Sequence, residues 1–256
     1  MRVAFRVLLG GVLLVSAGSA RAQERSLLSH EHKDYASPQY FAIELRFAPY
    51  RPQIDNEPAL QQGKKPYDAT FGSTRRLEVA AEFDWQALRI PHVGSLGPGI
   101  GLGYTSMNAK ARISQTLANP NPGLSGEDTS LDIFPMYLVA VFRADVFSRD
   151  FGIPLVPYVK GGVGYALWRA SNSLGTSNAY NVEGTGHTWG TNFALGLGLD
   201  LNLLDAYSAR ALDNATGINH TYIYGELMVA ALNGLGQASA LHVGTSTWAA
   251  GLAFEF

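Results

Sequence analysis

Charged residues at alternate positions inside otherwise apolar stretches are the feature of this 256-residue chain most able to do chemistry. Glu44 and Arg46 are threaded between Ile43, Leu45 and Phe47. Arg76, Glu78, Glu82 and Asp84 alternate with Leu77, Val79, Phe83 and Trp85. Arg143 and Asp145 close a nearly continuous apolar run whose facing is ambiguous, and both are placed inward. Lys160 shares a face with Gly162, Gly164 and Ala166, Asp200 with Asn192 and Ala194, and Glu226 with Tyr222 and Tyr224. A period of two puts these seven acids and four bases on one face of extended strands and the oily residues on the other. Ionised groups drawn out of bulk water need partners and hydrogen bonds. The expected result is a lumen charge network of ion pairs and trapped water. The functional alternative is a narrow gated path, mildly cation-selective because acids outnumber bases.

Other residue sets point to chemistry more weakly. His242 and Ser246, with His220 and Glu226, invite comparison with a lipid-modifying site. A nucleophile needs its base within hydrogen-bond reach, and four residues along a strand span about 13 Å. The tight His-x-Ser spacing of lipid A deacylases is absent, so these read as rim polar groups and no catalytic residue is expected. His187 and His220 lack further ligands at a useful spacing, and zinc sites need three or four. His30, Glu31, His32 and Lys33 read as a solvated segment. The Gly99-Gly101-Gly103 and Gly161-Gly162-Gly164 sets lie inside strands with no helix following, so the dinucleotide fingerprint fails its context test. Neither a metal nor a cofactor is expected.

Eight runs must position these residues: 40–50, 74–88, 99–110, 130–146, 156–170, 187–203, 219–232 and a last one within 242–256. Each is long enough to cross a bilayer at a tilt, which takes about nine to eleven residues. Connections after the first, third and fifth runs (51–72, 111–129 and 171–186) are long and polar, and those after the second, fourth and sixth mostly tighter. Asp205 is placed to cap a short helix through Leu212. Long loops on one side and short turns on the other are the asymmetry of outer-membrane barrels. The expected fold is therefore all-β, an eight-stranded antiparallel up-and-down transmembrane β-barrel over 39–256, with both ends periplasmic. Eight strands leave room inside only for side chains. The long loops are the natural place for surface recognition, since binding residues concentrate on loops held by a rigid scaffold.

Residues 1–22 have the basic, apolar and small-x-small parts of a secretory signal, Arg2 and Arg6, then 7–15, then Ala20-Arg21-Ala22. Residues 23–38 read as a short periplasmic lead-in. With no cysteine in the chain, disulfide and thiolate chemistry are excluded. A formal charge of −2 argues against a nucleic-acid partner. After residue 22 no apolar run approaches the length of a spanning helix, so membrane residence must come from strands, which satisfy their backbone in lipid only when closed.

In the last run Trp248, Ala250, Leu252, Phe254 and Phe256 alternate with Thr247, Ala249, Gly251, Ala253 and Glu255. A final Phe preceded by alternating apolar residues resembles the carboxy-terminal signature of bacterial outer-membrane barrels. That resemblance implies that Phe254 and Phe256 form an assembly signal read by the barrel-assembly machinery. The segments 38–47, 84–88, 143–146 and 251–256 are similar to a myxobacterial outer-membrane β-barrel family, over nearly all of the mature chain. The resemblance implies a location, the outer membrane of a Gram-negative bacterium, and a fold, but no activity. The function expected is structural or surface interaction through the loops. The partners expected are outer-membrane lipid and lipopolysaccharide.

Overall fold

The computed structural model describes residues 39–58, 60, 63–112, 123–179, 182–237 and 240–256. The expected secretory signal over 1–22 and the expected lead-in over 23–38 lie outside them. Eight long strands form the wall: β1 Phe41–Tyr50, β2 Arg76–Trp85, β3 Gly94–Arg112, β4 Leu124–Arg143, β5 Leu155–Asn172, β6 Thr185–Asp200, β7 His220–Ala231 and β8 Thr245–Glu255. Each pairs antiparallel with its sequence neighbour, and β1 pairs with β8 from Ala42↔Glu255 to Phe47↔Ala250, which closes the sheet into a barrel. The backbone of Phe256 is tied in as well: its amide donates to the Phe41 carbonyl at 2.9 Å and its carbonyl accepts from the Tyr40 amide at 2.7 Å.

The wall is inverted relative to a water-soluble domain. Phe83 and Leu197 are 44% and 45% exposed, whereas Glu82 and Arg143 are 3% and 7% exposed. Ile43, Leu45, Ile100, Leu102, Leu138, Val159, Val163, Leu195 and Leu227 form the outward aliphatic band. Aromatic residues flank it. Phe41 stacks on Phe83 with ring centroids 5.4 Å apart near Trp85 at the periplasmic end. Tyr104 packs on Phe134 at 5.0 Å, and Tyr165 on Trp189 at 4.5 Å, toward the outer end. Aliphatic residues at hydrocarbon depth between two aromatic girdles are what a bilayer selects. No helix among the described residues is long and apolar enough to cross a membrane.

The strands are unequal. β1, β2, β7 and β8 have 10, 10, 12 and 11 residues; β3, β4, β5 and β6 have 19, 20, 18 and 16. At a rise of about 3.3 Å and a tilt of about 40°, ten residues climb about 25 Å and twenty about 50 Å. The short four match the apolar band, and the long four stand well beyond it on the outer side. Much of the expected loop 111–129 is thus strand: β3 runs to Arg112 and β4 starts at Leu124, with 113–122 outside the described residues. Likewise β5 extends into 171–186, where Ser171 and Asn172 pair with Gly175 and Thr176.

Helices occupy the connections. The 51–72 segment holds a 3-10 turn, Ile54–Asn56, and α1, Pro66–Phe71. Asp55 binds it together by accepting from the Tyr67 and Asp68 amides at 2.8 and 3.1 Å. On the periplasmic side, α2 is Val146–Arg149 and α3 is Ala206–Thr216. Asp205 caps α3 by accepting from the Tyr207 and Ser208 amides, and Gly217 ends it in the left-handed region at φ 76°. The Ser208 backbone and side-chain hydrogen bonds, then that of Tyr207, hold the Asp205 carboxyl below its ordinary range. A carboxyl lowered in the folded state stabilises above its unfolded pKa and loses that contribution as pH falls through the folded one. Asp205→Ala should therefore speed amide exchange at Tyr207 and Ser208, and acidification of the wild type should do the same. Unchanged protection in both would remove the cap from the account.

Candidate functional site

The inward residues of the spanning half converge on one ion cluster. Arg143, near the periplasmic end of β4, donates through Nη2 to Glu44 of β1 and Asp84 of β2. Lys160 of β5 reaches across the lumen to Glu44 Oε2 at 2.5 Å and Glu82 Oε1 at 2.7 Å, with Glu226 Oε2 at 4.0 Å. Arg46 Nη1 meets Glu226 Oε1 at 3.2 Å and Glu82 Oε2 at 3.7 Å. Tyr158 donates to Glu226 Oε2 at 2.9 Å. Five strands contribute, and each is forced to by the alternation that sends its neighbouring apolar residues outward. Glu44, Glu82 and Asp84 lie close enough together to suggest a cation site. That place is taken: Lys160 and Arg143 lie among the three carboxylates.

Four of the expected network residues stand apart. Glu78 is buried, but neither of its carboxylate oxygens has a hydrogen-bond partner. Arg76, at the outer start of β2, is only half-buried and joins no ion pair among the described residues. Asp200 sits at the periplasmic rim, where its Oδ2 accepts from Ser148 Oγ at 2.6 Å and meets His220 Nδ1 at 3.0 Å. Asp145 departs from its expected inward place. β4 stops at Arg143, the chain turns into α2, and Asp145 leaves the wall to meet Arg89 at 3.1 Å and Arg149 at 3.4 Å. Partial burial pushes its carboxyl above the ordinary range, opposed by Arg149 and Arg89. Gln39 accepts from the same two arginines, at 3.2 Å from Arg89 and 2.7 Å from Arg149, so this cluster lies across the periplasmic mouth.

Charges do not fill the whole lumen, contrary to expectation. Its outer half is an apolar cluster of Tyr50, Met107, Leu131, Ile133, Leu232 and Val243. Tyr67 of α1 belongs to it, and Ile54 and Phe71 pack against it. Tyr50 donates to the Val243 carbonyl, tying the first outer segment to the last. The physical reason is the extra height of β3, β4 and β5. Their outer inward positions are Met107, Leu131, Ile133 and Ala166, and among the described residues Ile54, Tyr67, Phe71, Leu232, Leu241 and Val243 pack with them. Between the ion cluster and this cap, Arg46 Nε and Nη2, the Glu78 oxygens and Tyr137 Oη have no partner. Buried polar atoms of this kind call for water.

Nucleophile geometry is missing from the remaining sets. His242 donates its amide to Glu57 Oε1 at 3.0 Å, while Ser246 Oγ accepts from Gln53 Nε2 at 3.4 Å. Ser148 and His220 bind the same carboxylate oxygen of Asp200 and make no hydrogen bond to each other, so the imidazole does not activate the hydroxyl. His187 lies near the outer end of β6 and His220 at the periplasmic start of β7, too far apart along the barrel to share a metal. The inward tyrosines Tyr50, Tyr137 and Tyr158 were not legible as site residues, because a tyrosine fits either face of a membrane strand.

Among solved structures the chain is similar to the outer membrane protein OprG from Pseudomonas aeruginosa, at 15% identity over 86% of this chain and 97% of that one, with a TM-score of 0.46. It is also similar to Ail, the attachment invasion locus protein of Yersinia pestis, in complex with the heparin analogue sucrose octasulfate, at 11% identity over 85% and 97%, TM-score 0.42. A third is the N-terminal β-barrel domain of Pseudomonas aeruginosa OprF, at 11% identity over 86% and 100%, TM-score 0.39. No family model matches the chain, and no curated protein does. The eight-strand closure and the inverted wall stand independently of these likenesses.

Proposed function

We propose that this outer-membrane barrel of a Gram-negative bacterium is a structural and surface-interaction protein that carries out no catalysis. The observation that supports this reading most is the pairing of a filled lumen with a raised polar wall. Ion pairs occupy the lower half of the interior, an apolar cap the upper, and β3 and β4 lift Asn108, Lys110 and Asp128 past the apolar band. Exposed hydrogen-bonding groups on a rigid sheet, with 51–72, 111–129 and 171–186 around them, are suited to binding a partner at the cell surface. Lipopolysaccharide and outer-membrane lipid surround the wall in this proposal, the barrel-assembly machinery reads Phe254 and Phe256, and the chain belongs with the myxobacterial barrels it resembles.

Replacing residues 108–130 by a two-residue Asn-Gly hairpin, which keeps the Met107↔Leu131 pairing, tests the role of the wall. The shortened protein should still migrate as a folded, heat-modifiable barrel, while attachment of expressing cells to surfaces or to one another falls to the level of cells without it. Full attachment by the shortened form would remove the proposal.

The second reading is a narrow gated channel, and the unpartnered atoms around Arg46, Glu78 and Tyr137 favour it by implying water within the lumen. Planar-bilayer recording separates the two. The purified barrel should be silent, because the apolar cap leaves an ion no hydration across the outer half. Discrete conductance steps whose ion preference changes in Glu82→Gln or Arg143→Ala would transfer the function to the channel.

A further inference from the structure

The barrel wall is unevenly sewn. Toward the outside, β1 stays paired with β2 as far as Tyr50↔Arg76, and β8 with β7 as far as Thr245↔Ala230. Between themselves β1 and β8 pair only to Phe47↔Ala250. Two residues further along β1 comes Pro49, which has no N–H to give to a ladder, and beyond Phe47 the ladder is interrupted until the Gln53 amide donates to the Gly244 carbonyl at 2.9 Å. Side chains bridge the split. Thr247 Oγ1 donates to the Pro49 carbonyl at 2.8 Å. Arg75 Nη1 lies 2.9 Å from Thr247 Oγ1 and 3.4 Å from the carbonyls of both Pro49 and Ser246.

A groove of about 520 Å³ runs along this split on the outer face of the wall. Phe47, Leu77, Trp248 and Leu252 line it, with Arg75 and Arg76 at its outer end and no carboxylate among the lining residues. Arg75 uses one nitrogen on the strands. Its guanidinium presents five N–H donors in a fork, so Nε and Nη2 remain free on an exposed side chain, and this fork suits a phosphate held through two hydrogen bonds. Apolar walls at hydrocarbon depth and the exposed Arg75 cation at the outer interface select an amphiphile with an oily chain and a phosphate, entering from the outer leaflet.

We infer that the β1–β8 split is a lipid-binding site, taking one acyl chain of a phosphorylated outer-leaflet glycolipid of the lipid A type in the groove and its phosphate on Arg75. The site does not depend on the loops or on the surface role proposed above.

Native mass spectrometry of the folded barrel, after incubation with bis-phosphorylated lipid A, tests this. One lipid per barrel should survive detergent release. Retention of dephosphorylated lipid A should be at least tenfold lower, and that of phosphatidylglycerol, a phosphate lipid of different shape, should be lower as well. Arg75→Gln should reduce the phosphorylated lipid to the dephosphorylated level while the protein still migrates as a closed barrel. Should that variant fail to close, the wild-type contrast between phosphorylated and dephosphorylated lipid A decides alone. Equal retention of those two lipids, equal retention of phosphatidylglycerol, or undiminished retention by a folded Arg75→Gln barrel would each overturn the site.

Discussion

Lys160→Met should cost the barrel about 3–5 kcal/mol, the range seen when one partner of a buried ion pair is removed and the other charge is left stranded. Lys160 is 1% exposed and holds Glu44 and Glu82 at 2.5 and 2.7 Å. After its loss Glu44 keeps Arg143, but Glu82 retains only Arg46, at 3.7 Å. Met has nearly the same length and volume, so the loss is electrostatic and leaves no cavity. The double variant Lys160→Met/Glu82→Gln removes the stranded charge and should recover more than half of the loss. Urea unfolding in lipid vesicles reads both. A single variant as stable as wild type would show that the cluster does not hold the wall together.

Gly162→Val should prevent closure altogether. A Cβ at Gly162 would run into the Leu138 carbonyl and the Cα of Val139 on β4, the strand paired beside it. Backbone cannot rotate away as a side chain can, so the β4–β5 ladder must separate. The penalty is expected at or above the upper end of the about 1–3 kcal/mol found for overpacked cores. The folded, fast-migrating band of the unboiled protein should disappear. Gly225→Ala is the matched control: its nearest neighbour would be the Ala249 carbonyl at 3.9 Å, and it should fold as wild type. A Gly162→Val protein with normal heat-modifiable migration would contradict the closeness of these strands.

What could be read from the chain follows the reach of the lipid. Within the apolar band each outward residue must be oily, so period-two alternation marked most of the strands and placed Glu44, Glu82 and Glu226 inside, while the nearly continuous apolar run before Arg143 left its facing ambiguous. Outside the band that pressure stops. Arg112, Leu124, Asp128 and Thr129 are held in strands by backbone pairing, which leaves no mark on side-chain type, so these outer strand ends passed for loop. The apolar cap was hidden for a related reason. Tyr67 and Phe71 are two aromatic residues in a polar, proline-containing segment, and only the height of the opposite strands shows what they cover. Asp145 was misplaced because alternation carries no information about where a strand ends.

The uneven seam also bears on how the cylinder comes apart. Joining β1 to β8 brings together residues about two hundred positions apart, as in Phe47 and Ala250, and pairings of such long range cost the most chain entropy and form late. Its continuous ladder runs for six residue pairs, with further backbone bonds at Phe256 and between Gln53 and Gly244 and a proline interrupting the outer part. Mechanical or thermal stress should therefore unzip the molecule there first, peeling the first strand from the last while the tall sheet of middle strands stays whole.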